Sequence, residues 1–345
     1  MVVIVEKEDM VNWSELPSDM LQLISKKLHE FADFIRFRAV CKNWWSSTPI
    51  SDHPPLLPWL LFVSFPCVER VENNHLHFYS LSSQKFYSMP DTGNTFRKSS
   101  FRYLFLRKAR TLLSLFNPIN NHEVCLPPII LGWFDEVYID GDSVLICRNK
   151  QESNLQIYRW QLGDEKWSSR YVQCTVQMLA YYKGLCFNVD KSDWTTKVFD
   201  AGTGEHVLEI QPPISTNDFS GFNFLVNSSE ELFGVCRQSS ASVKESCFDV
   251  YRLHYENGNF NWVKVSNIGN CIILLDNLPG KGLLIGSEDH GVKGSCIYFH
   301  CFQYVSGQRF TVFCRYDMEQ NRVEELASLR EPKGSTWCWF VPCLL

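Results

Sequence analysis

The segment FDVYRLHYENGNFNWVKV, from Phe248 to Val265, shows the pattern on which the fold prediction depends. An apolar stretch that ends in aromatic residues is followed by the turn sequence Asn257-Gly258, and a second stretch then carries Trp262. Asparagine and glycine adopt turn conformations that most residues resist, so this segment is predicted to form a β-hairpin.

The same pattern occurs in five other segments of the chain. They begin at Leu76, Leu112, Leu155, Thr196 and Thr311. Further strand candidates such as SVLICR, GLCFNV, ELFGVCR and SCIYFHC lie between them. Two hairpins, which together make four strands, in roughly 40 to 50 residues are typical of one propeller blade.

The strands are apolar on both faces, which favours the propeller over a sheet with one solvated face. In LHFYSL, Leu76 and Phe78 share one side of the strand, whereas Tyr79 and Leu81 share the other. An all-β domain is predicted, as an irregular six- to seven-bladed β-propeller, with WLLFVSF (59–65) or WCWFV (337–341) closing the ring. Because the repeat intervals are unequal, an irregular pair of β-sandwiches is the alternative.

The amino-acid composition argues against binding to nucleic acids and to membranes. The chain has 345 residues, 45% of them hydrophobic, a net charge of −5 and a pI near 6.0. A dedicated binder of nucleic acid or of anionic membranes would normally be basic, so neither is predicted as a partner. No run approaches the roughly 18 apolar residues of a membrane span, and MVVIVEKEDM lacks the features of a signal peptide.

The fourteen cysteines are predicted to be reduced, buried thiols. They form no CxxC motif, and pairs such as Cys296/Cys301 lie in apolar, strand-like runs. Reduced thiols are typical of the cytoplasm and nucleus, which is the predicted location.

The hydrophobic period changes between residues 50 and 59, which predicts a domain boundary there. Residues 13–50 show helical spacing and are predicted to form a helical module. The linker SDHPPLLP (51–58) contains three prolines, which stiffen the chain. Residues 59–345 are predicted to form the propeller. Within the module, a second helix is predicted to start at an N-capping Asp33.

A module of about 38 residues lies near or below the size at which a chain is stable alone. Its large apolar side chains exceed what so small a bundle can bury, which predicts an interface with another protein. Packing of these helices on the chain's own β-domain is the alternative.

The segment LPSDMLQLISKKLHEFADFIRFRAVCKNWWSS (16–47) resembles an F-box, the three-helix module through which substrate receptors attach to the Skp-type adaptor of cullin ubiquitin ligases. Trp45 stands where such sequences often carry arginine. The resemblance implies an adaptor-binding surface formed by Leu16, Pro17, Met20, Leu21, Ile24, Leu28, Phe34, Phe37, Arg38, Val40, Cys41 and Trp44.

The later hairpin units FNPINNHEVCLPP and FDVYRLHYENGNFNWVKV, together with GSCIYFH, resemble those of a plant family. Its KIB-like members join an N-terminal F-box to a β-propeller-like domain and are related to kelch-type F-box proteins.

Candidate chemistry elsewhere in the sequence is weak. His75 and His77 alternate on one predicted strand, but no third metal ligand accompanies them, so no metal is predicted. The GTGEH run at Gly202 lacks the Gly-Lys-Ser/Thr ending of a phosphate loop and is interpreted as a hairpin turn. Nucleophile motifs such as GxSxG are absent, and neither a cofactor nor catalysis is predicted.

One segment, RKSSFRYLFLRKAR (97–110), concentrates positive charge without any acid. It either binds an acidic or phosphorylated partner or consists of solvated edges that discourage strand pairing. Its basic residues are Arg97, Lys98, Arg102, Arg107, Lys108 and Arg110.

The predicted function is that of the substrate-recognition subunit of a Skp–cullin–F-box ubiquitin ligase. The helices would bind the Skp-type adaptor and through it a cullin–RING ligase, and the propeller would bind an unknown protein substrate. A non-degradative scaffold or inhibitor that binds a kinase or another enzyme is the first alternative. A propeller enzyme acting on a small molecule is the second.

Overall fold

The computed structural model of the chain describes most of the sequence, with gaps in several loops. The described residues are 12–54, 58–64, 75–81, 83–90, 95–100, 103–109, 111–130, 136–140, 143–150, 154–174, 178–213, 221–228, 230–238, 245–256, 258–276, 280–286, 292–330 and 335–341.

Short helices form the N-terminal part. They are the 3-10 helices Trp13–Glu15 and Ile50–Asp52 and the α-helices α1 (Ser18–Ser25), α2 (Phe31–Arg38) and α3 (Lys42–Ser47). Pro17 precedes α1, where its missing N–H costs nothing. The predicted N-cap at Asp33 is wrong, because α2 begins two residues earlier. Asp33 instead lies in the first turn, where its carboxylate meets the positive helix end and pairs with Arg36 at 3.0 Å.

Strands follow from Trp59 onward. They are β1 (Trp59–Ser64), β2 (His75–Ser80), β3 (Lys85–Pro90), β4 (Thr95–Ser100), β5 (Tyr103–Arg107), β6 (Leu113–Asn117), β7 (His122–Leu126), β8 (Glu136–Asp140), β9 (Ser143–Lys150), β10 (Asn154–Gln161), β11 (Ser168–Gln173), β12 (Met178–Tyr182), β13 (Leu185–Val189), β14 (Thr196–Asp200), β15 (His206–Ile210), β16 (Phe224–Asn227), β17 (Leu232–Gln238), β18 (Cys247–Glu256), β19 (Asn259–Val265), β20 (Cys271–Leu275), β21 (Gly280–Gly286), β22 (Cys296–Val305), β23 (Gln308–Asp317), β24 (Arg322–Arg330) and β25 (Ser335–Phe340).

Each of the six segments that the sequence pattern predicted as hairpins is an antiparallel pair. The pairs are β2–β3, β6–β7, β10–β11, β14–β15, β18–β19 and β23–β24. Four sheets contain four strands each, in the orders β25-β1-β2-β3, β4-β5-β6-β7, β11-β10-β9-β8 and β12-β13-β14-β15.

A fifth sheet contains nine strands, in the order β19-β18-β17-β16-β21-β20-β22-β23-β24. Its continuity depends on β21, which pairs in parallel with β16 and antiparallel with β20. Gly282 on β21 permits this close approach. A Cβ at that position would lie 2.7 Å from a methyl group of Val226 and 2.9 Å from the carbonyl oxygen of Leu274.

The core lies between successive sheets. Leu76 and Phe78 share a buried cluster with residues of the second sheet, whereas Tyr79, on the opposite face of β2, joins a cluster with the last strands of the domain. The C-terminal strand β25 pairs with β1 over six residues, from Trp59↔Phe340 to Ser64↔Ser335. Both of the predicted closing segments are therefore used, and the predicted all-β propeller arrangement is confirmed.

In the part of the chain that the structure describes, every α-helix is too short to cross a membrane.

Phe340 tests how much the closing strand contributes to stability. Its ring is fully buried, lies 5.3 Å from the ring of Phe78 and shares a cluster with Phe31 of α2. Replacing it with alanine is expected to lower the free energy of unfolding by about 3–5 kcal/mol, because a large cavity remains. Urea unfolding followed by tryptophan fluorescence measures the change. Phe86→Ala, which removes a ring that is 60% exposed, is the control, with an expected change of about 0.5–1.5 kcal/mol from loss of its ring contact with Tyr79 at 4.9 Å. Equal losses in the two variants would contradict the role of β25.

Candidate adaptor-binding surface

Hydrogen bonds from α3 fix the chain that precedes α1. The side-chain amide of Asn43 donates to the carbonyl oxygens of Ser14, at 2.9 Å, and Leu16, at 3.1 Å. The indole N–H of Trp44 donates to the carbonyl oxygen of Trp13 at 2.9 Å. These bonds engage backbone acceptors of the first 3-10 helix and of Leu16, which follows it, and hold the start of α1 against α3.

A small buried core lies between the three helices. Leu21, Phe34 and Phe37 are buried, and the ring of Phe37 lies 4.4 Å from that of Trp44. These side chains were predicted to contact the adaptor. The structure instead places them inside the module, where they hold the helices together.

Arg38 joins this interior as a buried cation. Its guanidinium carbon lies 5.4 Å from the ring of Trp45 and 5.8 Å from that of Phe34. Burial lowers the pKa of Arg38, although an arginine stays protonated at any physiological pH. Its Nη1 atom is buried and has no hydrogen-bond partner among the described residues.

The helix α2 attaches the module to the propeller. Phe31 is buried in a cluster with strands of the first two sheets, and its ring makes an edge contact with Trp59 at 6.4 Å. Ala32 and Ile35 pack against the same cluster. This face of α2 is therefore covered by the chain's own β-domain. The alternative prediction, that the helices pack on the β-domain, holds for this face of α2.

The apolar residues that remain exposed define the candidate site. The adaptor-face residues, as we call them, are Trp13, Met20, Leu23, Ile24, Val40 and Trp45. Met20, Leu23 and Ile24 are spaced three and four residues apart, so they lie on one face of α1. Leu23 is 60% exposed and Val40 57%, which are large fractions for aliphatic side chains.

Three of these six residues were predicted from the sequence, namely Met20, Ile24 and Val40. Leu23 was missed, although its position three residues after Met20 marks the same helical face. Of the other predicted contacts, Pro17 is exposed, and the half-buried ones are Leu16, Leu28, Cys41 and Trp44.

The predicted basic segment is only partly within the described residues. Lys108 pairs with Glu123 at 2.7 Å, and the Nε of Arg107 donates to the carbonyl oxygen of Ala109 at 3.2 Å. Burial acts to raise the pKa of Glu123, but the hydrogen bond and charge of Lys108 hold it below its ordinary value. The charge of Lys108 is thus compensated within the chain. The side chains of Arg97, Lys98, Arg102 and Arg110 lie outside the described residues.

The other sequence candidates do not assemble into a reactive site within the described part of the chain. His77 is exposed on β2, whereas the side chain of His75 is outside the description. The described residues contain no group of three or more side chains that could hold a metal ion. The carboxylate of Asp200 accepts backbone N–H groups of Gly202, at 2.9 Å, and Thr203, at 2.7 Å, so the GTGEH run is a hairpin turn.

The cysteines of the described residues are free thiols, and several lie in the core. Burial, helped by the negative charge of Asp249, raises the pKa of Cys236 to about 12. Burial and the neighbouring Cys186 raise that of Cys174 to about 11. Thiols with raised pKa values are poor nucleophiles, because the thiolate is the reactive form.

Alkylation of the folded protein tests this assignment. Iodoacetamide at mildly alkaline pH is expected to modify the exposed Cys125 while Cys236 and Cys174 stay unmodified, since these two are buried and protonated. Peptide mass spectrometry over time measures the rates, and the urea-unfolded chain is the control, in which all three react. Modification of Cys236 as fast as Cys125 in the folded protein would contradict the structure.

The described residues thus define a β-propeller protein with an N-terminal helical module that presents apolar side chains to solvent. The chain belongs to the KIB1-4 beta-propeller family, which it matches over residues 78–324.

Curated relatives extend the match to most of the chain. It is 26% identical to the putative F-box protein At5g66830 of Arabidopsis thaliana, over 96% of this chain and 93% of that protein. It is also 26% identical to the probable F-box protein At4g22165 of the same plant, over 84% of each chain. Over 54 residues, 14% of this chain and 13% of the relative, it is 48% identical to the Arabidopsis F-box protein SKIP23. The predicted resemblance to plant F-box proteins with a propeller domain is confirmed.

Proposed function

We propose that this chain is the substrate-recognition subunit of a Skp–cullin–F-box ubiquitin ligase. The helical module is the F-box that binds the Skp-type adaptor, and the propeller binds the protein to be ubiquitylated. The observation that carries the proposal is the exposure of the adaptor-face residues on a module that α2 anchors to the propeller. The F-box relatives support the same function.

The energetics favour association with a partner. Each apolar side chain of this size gains roughly 1.5–3 kcal/mol when it is fully buried. Several such gains together are of the same order as the entropic cost of association, which is about 4–15 kcal/mol.

Attachment of α2 to the propeller gives the proposed subunit its geometry. Phe31 and Ile35 pack on the β-domain, and the Arg36 guanidinium carbon lies 5.6 Å from the ring of Tyr87. The adaptor and the substrate are then held at a set separation. Proximity of this kind replaces much of the entropy lost when two molecules meet.

In this proposal the chain performs no chemistry. The ubiquitin-conjugating enzyme on the cullin–RING arm carries out the transfer. The buried thiols with raised pKa values fit a structural rather than a catalytic role. Free thiols also fit a reducing compartment, so we place the complex in the cytoplasm or nucleus.

We also propose that the propeller has six blades. The nine-stranded sheet divides into β16–β19 and β20–β24, and a buried cluster that includes Val235 and Phe299 lies between these two parts. With the four other sheets, this division gives a ring in which each blade packs against the next. In this division, β21 would be the inner strand of the sixth blade.

Binding to a purified plant Skp-type adaptor tests the function. The double variant Ile24→Asp, Val40→Asp is expected to weaken binding at least about a hundredfold, because two apolar contacts are replaced by buried carboxylates. Isothermal titration measures the affinity. Val207→Asp, on exposed β15 of the propeller, is the matched control and should bind like the unmodified chain.

Two other outcomes are informative. Normal adaptor binding by the double variant would overturn the assignment of the adaptor-binding surface. Failure of the unmodified chain to bind any Skp-type adaptor would overturn the ligase proposal and favour the scaffold or inhibitor.

A further inference from the structure

Two cysteines lie side by side on the hairpin of β22 and β23. Cys301 is directly opposite Val312, and Cys314 follows Val312 by two residues. Since residues two apart on a strand share a face, both thiols lie on one face of the hairpin. Their sulfur atoms share one acceptor, the carbonyl oxygen of Val312, which is 3.7 Å from Cys301 and 3.9 Å from Cys314. The fold thus brings the two thiols together.

The two thiols differ in their access to solvent. Cys314 is fully buried in a cluster that includes Phe248 of β18 and Phe299 of β22. Cys301 packs against the same cluster but is only partly buried. A small solute therefore reaches Cys301 more easily than Cys314.

A buried guanidinium lies beside the thiols. The Nη1 of Arg237, on β17, donates to the carbonyl oxygen of His300, the residue before Cys301, at 3.0 Å. Its guanidinium carbon is 4.9 Å from the ring of Phe299. Phe299 lies two residues before Cys301 on β22 and so shares its face. The cation is therefore fixed next to the face that carries the thiols.

This arrangement favours a thiolate at Cys301. The hydrogen bond that Cys314 donates, and then the charge of Arg237, hold the pKa of Cys301 below its ordinary value, although burial and Glu325 act to raise it. The same hydrogen bond, together with burial, raises the pKa of Cys314. In return, both thiols favour the charged form of Arg237, whose pKa burial lowers. The first proton to leave the pair therefore comes from Cys301.

Cysteines that react with peroxides combine thiolate character, access to solvent and a neighbouring thiol. Cys236 and Cys174 lack the first property, because burial raises their pKa values to about 12 and about 11. Cys301 has all three properties.

We propose that Cys301 is a site of reversible oxidation by hydrogen peroxide. The thiolate attacks one oxygen of the peroxide. An S–O bond forms, the O–O bond breaks, and the second oxygen leaves as hydroxide, which takes a proton and becomes water. The sulfur is oxidised to a sulfenic acid by two electrons, and the same two electrons reduce the peroxide.

Thiols reverse the modification. The sulfenic acid condenses with a thiol to form a disulfide and water, and a second thiol, such as that of glutathione, reduces this disulfide by exchange. The inference goes beyond the proposed ligase function and does not depend on it, because it concerns the propeller alone.

Oxidation of the folded full chain tests the proposal. The reduced protein is treated with hydrogen peroxide at neutral pH and unfolded in urea, and the remaining thiols are blocked with iodoacetamide. The oxidised cysteines are then reduced with dithiothreitol and labelled with isotopically heavy iodoacetamide, so that sulfenic acid and disulfide are counted alike. Peptide mass spectrometry follows each cysteine over time. Cys301 is expected to oxidise about tenfold faster than the more exposed Cys125.

Arg237→Gln tests the role of the cation. It is expected to slow the oxidation of Cys301 several-fold, because the thiolate loses the neighbouring positive charge. Arg148→Gln is the matched control and should leave the rate unchanged. Arg148 likewise donates to a backbone carbonyl oxygen, that of Ile130, and its guanidinium carbon lies 5.2 Å from an aromatic ring, that of Tyr158.

A second pair of variants tests the hydrogen bond and remains decisive if Arg237→Gln fails to fold. Cys314→Ala removes the donor and should slow the oxidation of Cys301, whereas Cys314→Ser keeps a donor and should retain the fast rate. Circular dichroism verifies the fold of each variant. Oxidation of Cys301 no faster than that of Cys125 would overturn the inference, as would equal rates in the two Cys314 variants.

Discussion

Pairing of β25 with β1 is the interaction on which the other features depend. It places the last described strand of the chain in the same sheet as the first and so closes the row of sheets into a ring. Trp59 and Phe340 are directly opposite each other in this pair, and both belong to the cluster that receives Phe31. Closure of the propeller therefore also builds the platform for α2.

That platform resolves how a small helical module accommodates many apolar side chains. Phe31 is covered by the propeller, and Leu21 and Phe34 are covered within the module. Leu23 and Val40 are covered neither by the propeller nor within the module, and they remain exposed. Since α2 is anchored to the propeller, the module holds the exposed side chains in a constant orientation, which is what a docking surface for a second protein requires.

The sequence predicted the parts of this arrangement that depend on local chemistry. The six hairpins follow from alternation and turn residues, and the change from helices to strands follows from the hydrophobic period. Which helical side chains stay exposed could not be predicted from the sequence. The apolar side chains of α2 are divided between two surroundings, because Phe34 is buried within the helical module and Phe31 packs against the propeller. The insertion of β21 between β16 and β20 depends on long-range pairing, which Gly282 permits but does not signal.

The most direct measurement is hydrogen–deuterium exchange of the full chain, with and without a purified Skp-type adaptor. The adaptor is expected to slow exchange in α1 and in the segment from Val40 to Trp45, while β22 and β23 exchange as in the free chain. Slower exchange confined to the propeller, with α1 unchanged, would contradict the assignment of the helical module as the adaptor-binding element.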